Sequence, residues 1–340
     1  MTDRHSTSMR LIGWVESGGR RLTSPEIETL IGEDPRRVAG FGGEFSLSWD
    51  GCTATDRLGI LGITGPFGVI TCQGEEVGEV NPDPPTLDLE EAIRIAVRLR
   101  ADEGAVALSG GVDSALIASL AGLPCVTVGL EGTHDLERGS EVARALGLAW
   151  ERVIVTPDDV AAALPQVISA IPKATPLDVS IATGLFFVAR WAGEKGHRRT
   201  LIGQGADELF GGYARHRTAT HLPRMLARDF ASLRHQALRD QAVARLHGTC
   251  FSLPYLDLRV VRAARSLPAE RLVSADTGKV PLREVAAGIL PADIASAPKK
   301  AMQYGSGIAG AIRSLARKNG YKRSVQGYII QLSGGRDGLT

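Results

Sequence analysis

Gly104-Ala-Val-Ala-Leu-Ser-Gly-Gly-Val-Asp-Ser114 is the stretch that decides the fold. A short apolar run, Val106 to Leu108, breaks into Ser109-Gly110-Gly111-Val112-Asp113-Ser114, and the pattern reads as a buried strand, a tight loop and a helix start. Gly110 and Gly111 let backbone amides approach an anion without Cβ obstruction. Ser109 and Ser114 add hydroxyl donors, and the helix opening at Ala115 to Leu120 supplies free N–H groups and a favourable dipole end. Asp113 is the wrong charge for a bare phosphate, and it fits if Mg2+ sits between its carboxylate and phosphate oxygens. The plain alternative is an ordinary Gly-Gly turn. The two commoner nucleotide loops are absent: no Gly-x-x-x-x-Gly-Lys-Ser/Thr occurs, since Gly278-Lys279 runs into Val280, and no Gly-x-Gly-x-x-Gly lies between a strand and a helix.

A second segment has the same logic. In Thr200-Leu-Ile-Gly-Gln204-Gly205-Ala206-Asp207-Glu208-Leu-Phe-Gly211-Gly212-Tyr213, Leu201 to Gly203 reads as another buried strand with glycines and carboxylates at its end. In an open parallel sheet, ligands collect outside the C-terminal ends of the strands. Asp113 and Asp207 are therefore expected in one crevice, sharing a metal; a solvated acidic helix cap is the alternative for Asp207-Glu208 alone. Tyr328-Ile-Ile-Gln-Leu-Ser333-Gly334-Gly335-Arg336-Asp337 repeats the strand, Ser-Gly-Gly and Asp order three residues from the end, and it reads as a C-terminal strand and frayed tail.

The first loop resembles the pyrophosphate loop of ATP pyrophosphatases, and the second segment resembles the asparagine synthetase motif Gly-Glu-Gly-Ser-Asp-Glu-x-Phe-Gly-Gly-Tyr. Further matches follow in the same order: Asp135-Leu-Glu137 with Glu141 to Gly147, Pro254-Tyr-Leu-Asp257, Lys279 to Leu290, and Pro298-Lys299 six residues before Gly305. They run from about residue 84 to about residue 307. The resemblance implies an adenine nucleotide alpha hydrolase-like α/β fold, a parallel sheet with helices on both faces, followed by a helical C-terminal part. It implies ATP and Mg2+ as cofactors and an AMP-forming ligase: a carboxylate attacks the α-phosphorus, pyrophosphate leaves, and an amine or ammonia displaces AMP. On the matching positions, Ser109, Gly110, Gly111, Val112, Asp113 and Ser114 hold pyrophosphate, Asp113 and Asp207 hold Mg2+, and Val128, Gly129, Gly203 and Gly205 complete the nucleotide site. Lys299, chosen over Lys300 by its step to Gly305, is the catalytic cation. Gln204, Asp178 and Ser180 are the substrate candidates, with a helix N-cap the alternative for the last two.

Two departures bear on the substrate, aspartate by default. Gln204 stands where the relatives have Glu, and an amide neither takes a proton nor bears charge. Cys250-Phe251-Ser252 stands where they carry Glu-Ala-Arg. A tRNA-modifying enzyme of the same ATP-using fold and a non-catalytic ATP-binding scaffold are the competing readings.

The main break falls at Asn81-Pro-Asp-Pro-Pro85, a linker. Before it, Leu11 to Val15, Glu44 to Trp49 and Val69 to Cys72 read as strands; after it, Leu87 to Arg100 reads as helix, strands and helices alternate, and beyond Tyr213 the pattern is almost wholly helical. The expected division is residues 1–80 and 84–340. Gly40 to Phe45 and Asp56-Arg57-Leu58-Gly59-Ile60 resemble the glutaminase domain of asparagine synthetases, a β-rich domain of the N-terminal-nucleophile type. The start Met1-Thr2-Asp3 offers no N-terminal cysteine, and Cys52 lacks a free α-amine to serve as base. A shortened, inactive glutaminase relative is implied, with nitrogen coming from ammonia, an amine or a separate amidotransferase.

Composition agrees with a soluble, cytoplasmic enzyme. The chain of 340 residues is 44% hydrophobic, enough for a core, and its 39 basic and 38 acidic side chains leave no electrostatic case for nucleic acid or an anionic membrane. His197-Arg198-Arg199 reads as a solvated basic loop. Cys52, Cys72, Cys125 and Cys250 show no paired spacing, which suggests neither zinc nor disulfides and suits a reducing compartment. No apolar run of membrane length occurs. Similar enzymes are often dimers, so a homodimer is open.

Overall fold

The computed structural model describes residues 9–62, 66–297, 305–322 and 324–334. Two sheets organise them. The first is six-stranded and antiparallel, built from β1 (Arg10–Ser17), β2 (Arg20–Arg21), β3 (Gly42–Trp49), β4 (Cys52–Thr55), β5 (Val69–Cys72) and β6 (Glu75–Glu79) in the order β2-β1-β3-β4-β5-β6. Helix α1 (Ser24–Glu33) covers it, started by a capping box in which the Thr23 and Glu26 side chains bond reciprocally across the first turn. Phe45, Leu47 and Trp49 alternate inward along β3 to pack on Ile27 and Ile31 of α1.

The second sheet is parallel throughout: β7 (Ala105–Ala107), β8 (Cys125–Gly129), β9 (Trp150–Ile154), β10 (Arg199–Leu201) and β11 (Cys250–Ser252). Its order is β11-β10-β7-β8-β9. The chain builds outward from β7 through β8 to β9, then returns to the other side of β7 to lay down β10. The C-terminal ends of β7 and β10 thus flank the crevice where ligands gather in such sheets. Helices α2 (Leu89–Arg98), α3 (Val112–Ala121), α4 (His134–Ala145), α5 (Pro157–Ala170) and α6 (Pro176–Glu194) surround this sheet. The short α7 (Ala206–Phe210) and the long α8 (Leu222–Arg245) precede β11; α9 (Leu258–Ser266), α10 (Val280–Ala287), α11 (Ala292–Ala295), α12 (Ile308–Lys318) and α13 (Val325–Leu332) follow it. Covered on both faces, the central strands are nearly continuously apolar, as β8 shows with every residue buried.

An alternating chain of charges joins the two sheets. Arg100, 1% exposed, pairs with Glu44 of β3 at 2.8 Å and with Asp257 at 2.9 Å; Arg259 joins Asp257 at 3.1 Å to Glu16 of β1 at 2.8 Å. Burial alone would raise Glu44, but Arg100, Ser252 and the Leu253 amide hold it below its ordinary value; burial acts the same way on Asp257, and Arg100 and Arg259 overcome it. Helix α8 adds clamps onto backbone carbonyls, with Gln241 donating to Ile60 O at 3.1 Å and Arg245 to Leu61 O at 3.1 Å.

Four expectations are corrected. The run Tyr328 to Leu332 is helix α13, not a strand: Ser324 Oγ accepts from Gly327 N at 2.9 Å, and Val325, Tyr328, Ile329 and Leu332 recur at helical spacing against the core. Cys52 and Cys72 face each other in the β4–β5 register and form a disulfide, so the thiol argument for a reducing compartment falls. Arg199 is not solvated; it begins β10, 8% exposed at its side chain, and pairs with Asp102 at 2.5 Å. The region after Tyr213 also contributes a strand, β11. Among the described residues no helix is long and apolar enough to cross a membrane.

Candidate nucleotide and substrate site

At the end of β7, Leu108 N bonds to Val126 O at 2.8 Å and the chain then leaves the sheet. Gly110 turns it with φ +78°, where a Cβ would strike the main chain of Arg138 and Gly139. Ser114 Oγ donates to Gly111 O at 3.1 Å and accepts from Ser109 N at 3.1 Å, which closes the loop on the first turn of α3. No side chain caps α3 at Gly111, so its leading N–H groups stay available to an anion.

The loop after β10 meets this one directly. Gly203 lies so close that a Cβ there would sit 3.0 Å from Asp113 Cβ. Tyr255 OH donates to Asp113 O at 2.9 Å and ties the α3 start to the segment after β11. Asp207, in the first turn of α7, points to the same place as Asp113. Between them stands Lys279, whose Nζ is 2.5 Å from Asp113 Oδ2 and 2.6 Å from Asp207 Oδ1. Lys279 is 3% exposed, at a left-handed φ of +59°, at the N-cap of α10. Burial alone would lower its pKa; the two carboxylates more than offset this and hold the ammonium above its ordinary value.

A cavity of about 800 Å3 opens over both loops. Its walls include Ala107, Leu108 and Val126 to Val128, Leu177, Ile181, Leu185 and Val188 of α6, and polar groups of α7 and α8. There, Arg239 pairs with Asp240 at 2.7 Å and with Asp178 at 3.0 Å. Gln204 Nε2 donates to Gln236 Oε1 at 3.0 Å, and Gln236 Nε2 in turn donates to Glu208 Oε1 at 3.2 Å. Tyr213 OH donates to the same Glu208 oxygen at 2.6 Å. Burial pushes Glu208 above the ordinary carboxylate value; the Tyr213 bond opposes it and the adjoining Asp207 charge adds to it.

Ser109, Gly111, Val112, Asp113, Ser114, Val128, Gly203, Gln204, Gly205, Asp207 and Asp178 all line this cavity. Three residues do not join them. Gly110 lines a neighbouring cavity of about 260 Å3 with His134 and Arg138. Gly129 packs on Thr133 and Leu136, and Ser180 Oγ is turned back to Pro176 O at 2.6 Å. Asp178 is the N3 residue of α6, its N–H donating to the cap Thr175 at 3.1 Å while its carboxylate reaches Arg239. Lys299 and Lys300 lie outside the described residues. The Cys250 to Ser252 departure does not touch the cavity: Ser252 donates to Glu44 at 2.5 Å and belongs to the contact between the sheets. Lys279, Arg239, Asp240 and Gln236 were not singled out from sequence. Lys279 did carry a signal, since a cation at a helix N-terminus opposes the dipole and needs a compensating anion.

The fold and its rim define a doubly wound α/β protein with a glycine-turned loop at the end of β7 and a facing acidic turn. The asparagine synthase family model matches residues 88–221 and 214–329, and the chain belongs to that family. It is 32% identical over 291 residues to "Putative asparagine synthetase (glutamine-hydrolyzing) 1" of Methanocaldococcus jannaschii, covering 72% of this chain and 54% of that protein. It is 31% identical over 195 residues to the asparagine synthetase (glutamine-hydrolyzing) of Triphysaria versicolor, covering 52% of this chain and 33% of that one. The chain thus spans about half the length of the first relative and a third of the second. Among solved structures, NMN synthetase from Francisella tularensis aligns over 75% of this chain and 98% of its own, with 15% identity and a TM-score of 0.37.

Proposed function

We propose that this chain is an ATP-dependent, AMP-forming amide ligase of asparagine synthetase type, with aspartate as the default acid. The observation that carries the reading is the convergence of Asp113 and Asp207 on one point beneath the loop Ser109 to Ser114. Two carboxylates suit a Mg2+ ion that also takes phosphate oxygens, and Asp113 Oδ1 is buried without a hydrogen-bond partner, an acceptor such an ion satisfies. Asp113 and Asp207 would hold the ion, which when bound spreads the phosphate charge. The amides at the start of α3 and the hydroxyls of Ser109 and Ser114 bind pyrophosphate, and Lys279 neutralises the phosphates. Val128 and its neighbours take the adenine, with Gly203 and Gly205 allowing close approach. The acid lies toward Asp178 and Gln204, where its carboxylate attacks the α-phosphorus; an amine then displaces AMP. Lys299 stabilises charge on the α-phosphate and on the tetrahedral intermediate.

The N-terminal sheet is proposed as a glutaminase-like layer. Cys52 is committed to Cys72, and the layer packs on the ligase domain through Arg100 and Arg259. Nitrogen then comes from ammonia, a small amine or a separate amidotransferase. Exchange of labelled pyrophosphate into ATP, measured across a panel of acids, tests the reading: aspartate-dependent exchange supports it, RNA-dependent activity favours a tRNA modifier, and ATP binding without exchange favours a scaffold.

A further inference from the structure

The side chain of Gln204 is oriented unambiguously. One of its amide hydrogens goes to Gln236 Oε1 at 3.0 Å, and its amide also bonds the Asp240 carboxylate. Gln236 cannot be turned the other way without breaking its own bonds, because its Nε2 serves Glu208 at 3.2 Å and Ser232 Oγ at 3.3 Å. The Gln204 amide group therefore faces α8. What is left is Oε1, buried with no hydrogen-bond partner, on a residue that lines the cavity. A buried acceptor left unmet is costly, so a ligand that brings an N–H is favoured there. A glutamate at this position would face Asp240 with like charge, so the surroundings select the amide.

Resting on the ligase reading above, we propose that the nitrogen donor enters as a neutral amine whose N–H donates to Gln204 Oε1, and that no side chain removes an ammonium proton before attack. Among the described residues, the carboxylates around Gln204 are otherwise engaged. Asp178 and Asp240 share Arg239, Asp207 meets Lys279, and Glu208 accepts from Tyr213 and Gln236. His235 is exposed at the cavity wall. In the step, the nitrogen lone pair forms the C–N bond at the acyl-adenylate carbonyl, and the carbonyl carbon–oxygen bond to AMP breaks with its electron pair passing to the phosphate oxygen. The proton made acidic on the quaternised nitrogen passes to that departing phosphate, which leaves a neutral amide.

The test compares two nitrogen probes at saturating aspartate and ATP: ammonium chloride, mostly protonated near neutrality, and hydroxylamine, mostly not. From about pH 6 to about pH 8, amide formation from subsaturating ammonia is expected to rise about tenfold per pH unit, while the hydroxylamine rate stays within about twofold. Gln204→Glu is expected to flatten the ammonia profile by supplying an acceptor. An ammonia rate independent of pH in the unsubstituted protein overturns the inference, and places a base such as His235 in the step. Aspartate-dependent pyrophosphate exchange, run on the same protein, separates this failure from failure of the ligase reading, which shows as no exchange at all.

Discussion

Lys279 Nζ lies 2.5 Å from Asp113 Oδ2, although 166 residues separate them. The same ammonium reaches Asp207 from α7, so three segments of the chain hold one charge triad at the rim of the parallel sheet. A buried cation between two carboxylates balances their charge, and on the proposed reading it would contribute positive charge toward the phosphates.

Removing that cation leaves two carboxylates facing each other at the point where the proposed reading seats the triphosphate. Lys279→Met is expected to lower pyrophosphate exchange by a factor on the order of 10² to 10³, the usual effect of losing a preorganised charge partner. Retention of near-normal exchange would show that Lys279 serves packing alone.

Lys299→Ala is expected to abolish turnover while Lys300→Ala does not, if the step of six residues to Gly305 sets the alignment. Steady-state rates of the two variants decide this. Equal losses or the reverse order would shift the alignment by one residue.

Stability should peak in mildly acid solution. Glu44 and Asp257 are held below their ordinary values, so their contribution is present above about 4.5 and 3.8 and is lost as pH falls through their folded values. Asp56 is pushed the other way by burial, against bonds from Ile60 and Leu58 amides, to about 7. Its folded form prefers the proton, so stability falls as pH rises from its unfolded value toward about 7. Thermal melts should therefore give the highest Tm between those windows, and a Tm still climbing above neutrality would contradict the assignment.

Thiol titration of the unfolded, unreduced protein should find two groups, Cys125 and Cys250, and four after reduction. Four before reduction would remove the Cys52–Cys72 bond. In the folded state both free thiols should react slowly, because burial raises Cys125 to about 12 and Cys250 to about 11.

The parts of the fold that depend on local pattern were readable from sequence. The apolar runs before Ser109 and Gln204 overlap β7 and β10, which begin one and two residues earlier than the runs read from sequence, and Pro82, Pro84 and Pro85 lie between β6 and α2. What escaped depends on partners far along the chain. β11 is three residues long and is recognisable only beside β10, and the disulfide follows from the β4–β5 register rather than from cysteine spacing. Tyr328-Ile-Ile carries β-favouring side chains, yet the Ser324 cap and a helical stripe outweigh them. Lys279 and the Arg239–Asp240 pair lie on helices whose approach to the sheet rim no local signal reports.

The central claim is that Asp113 and Asp207 jointly bind magnesium-bound ATP, and calorimetric titration of ATP with and without Mg2+ tests it most directly. The account predicts Mg2+-dependent binding that is lost in Asp113→Asn and equally in Asp207→Asn, with both variants folded by circular dichroism. ATP affinity that is unchanged by either substitution, or indifferent to Mg2+, would contradict it.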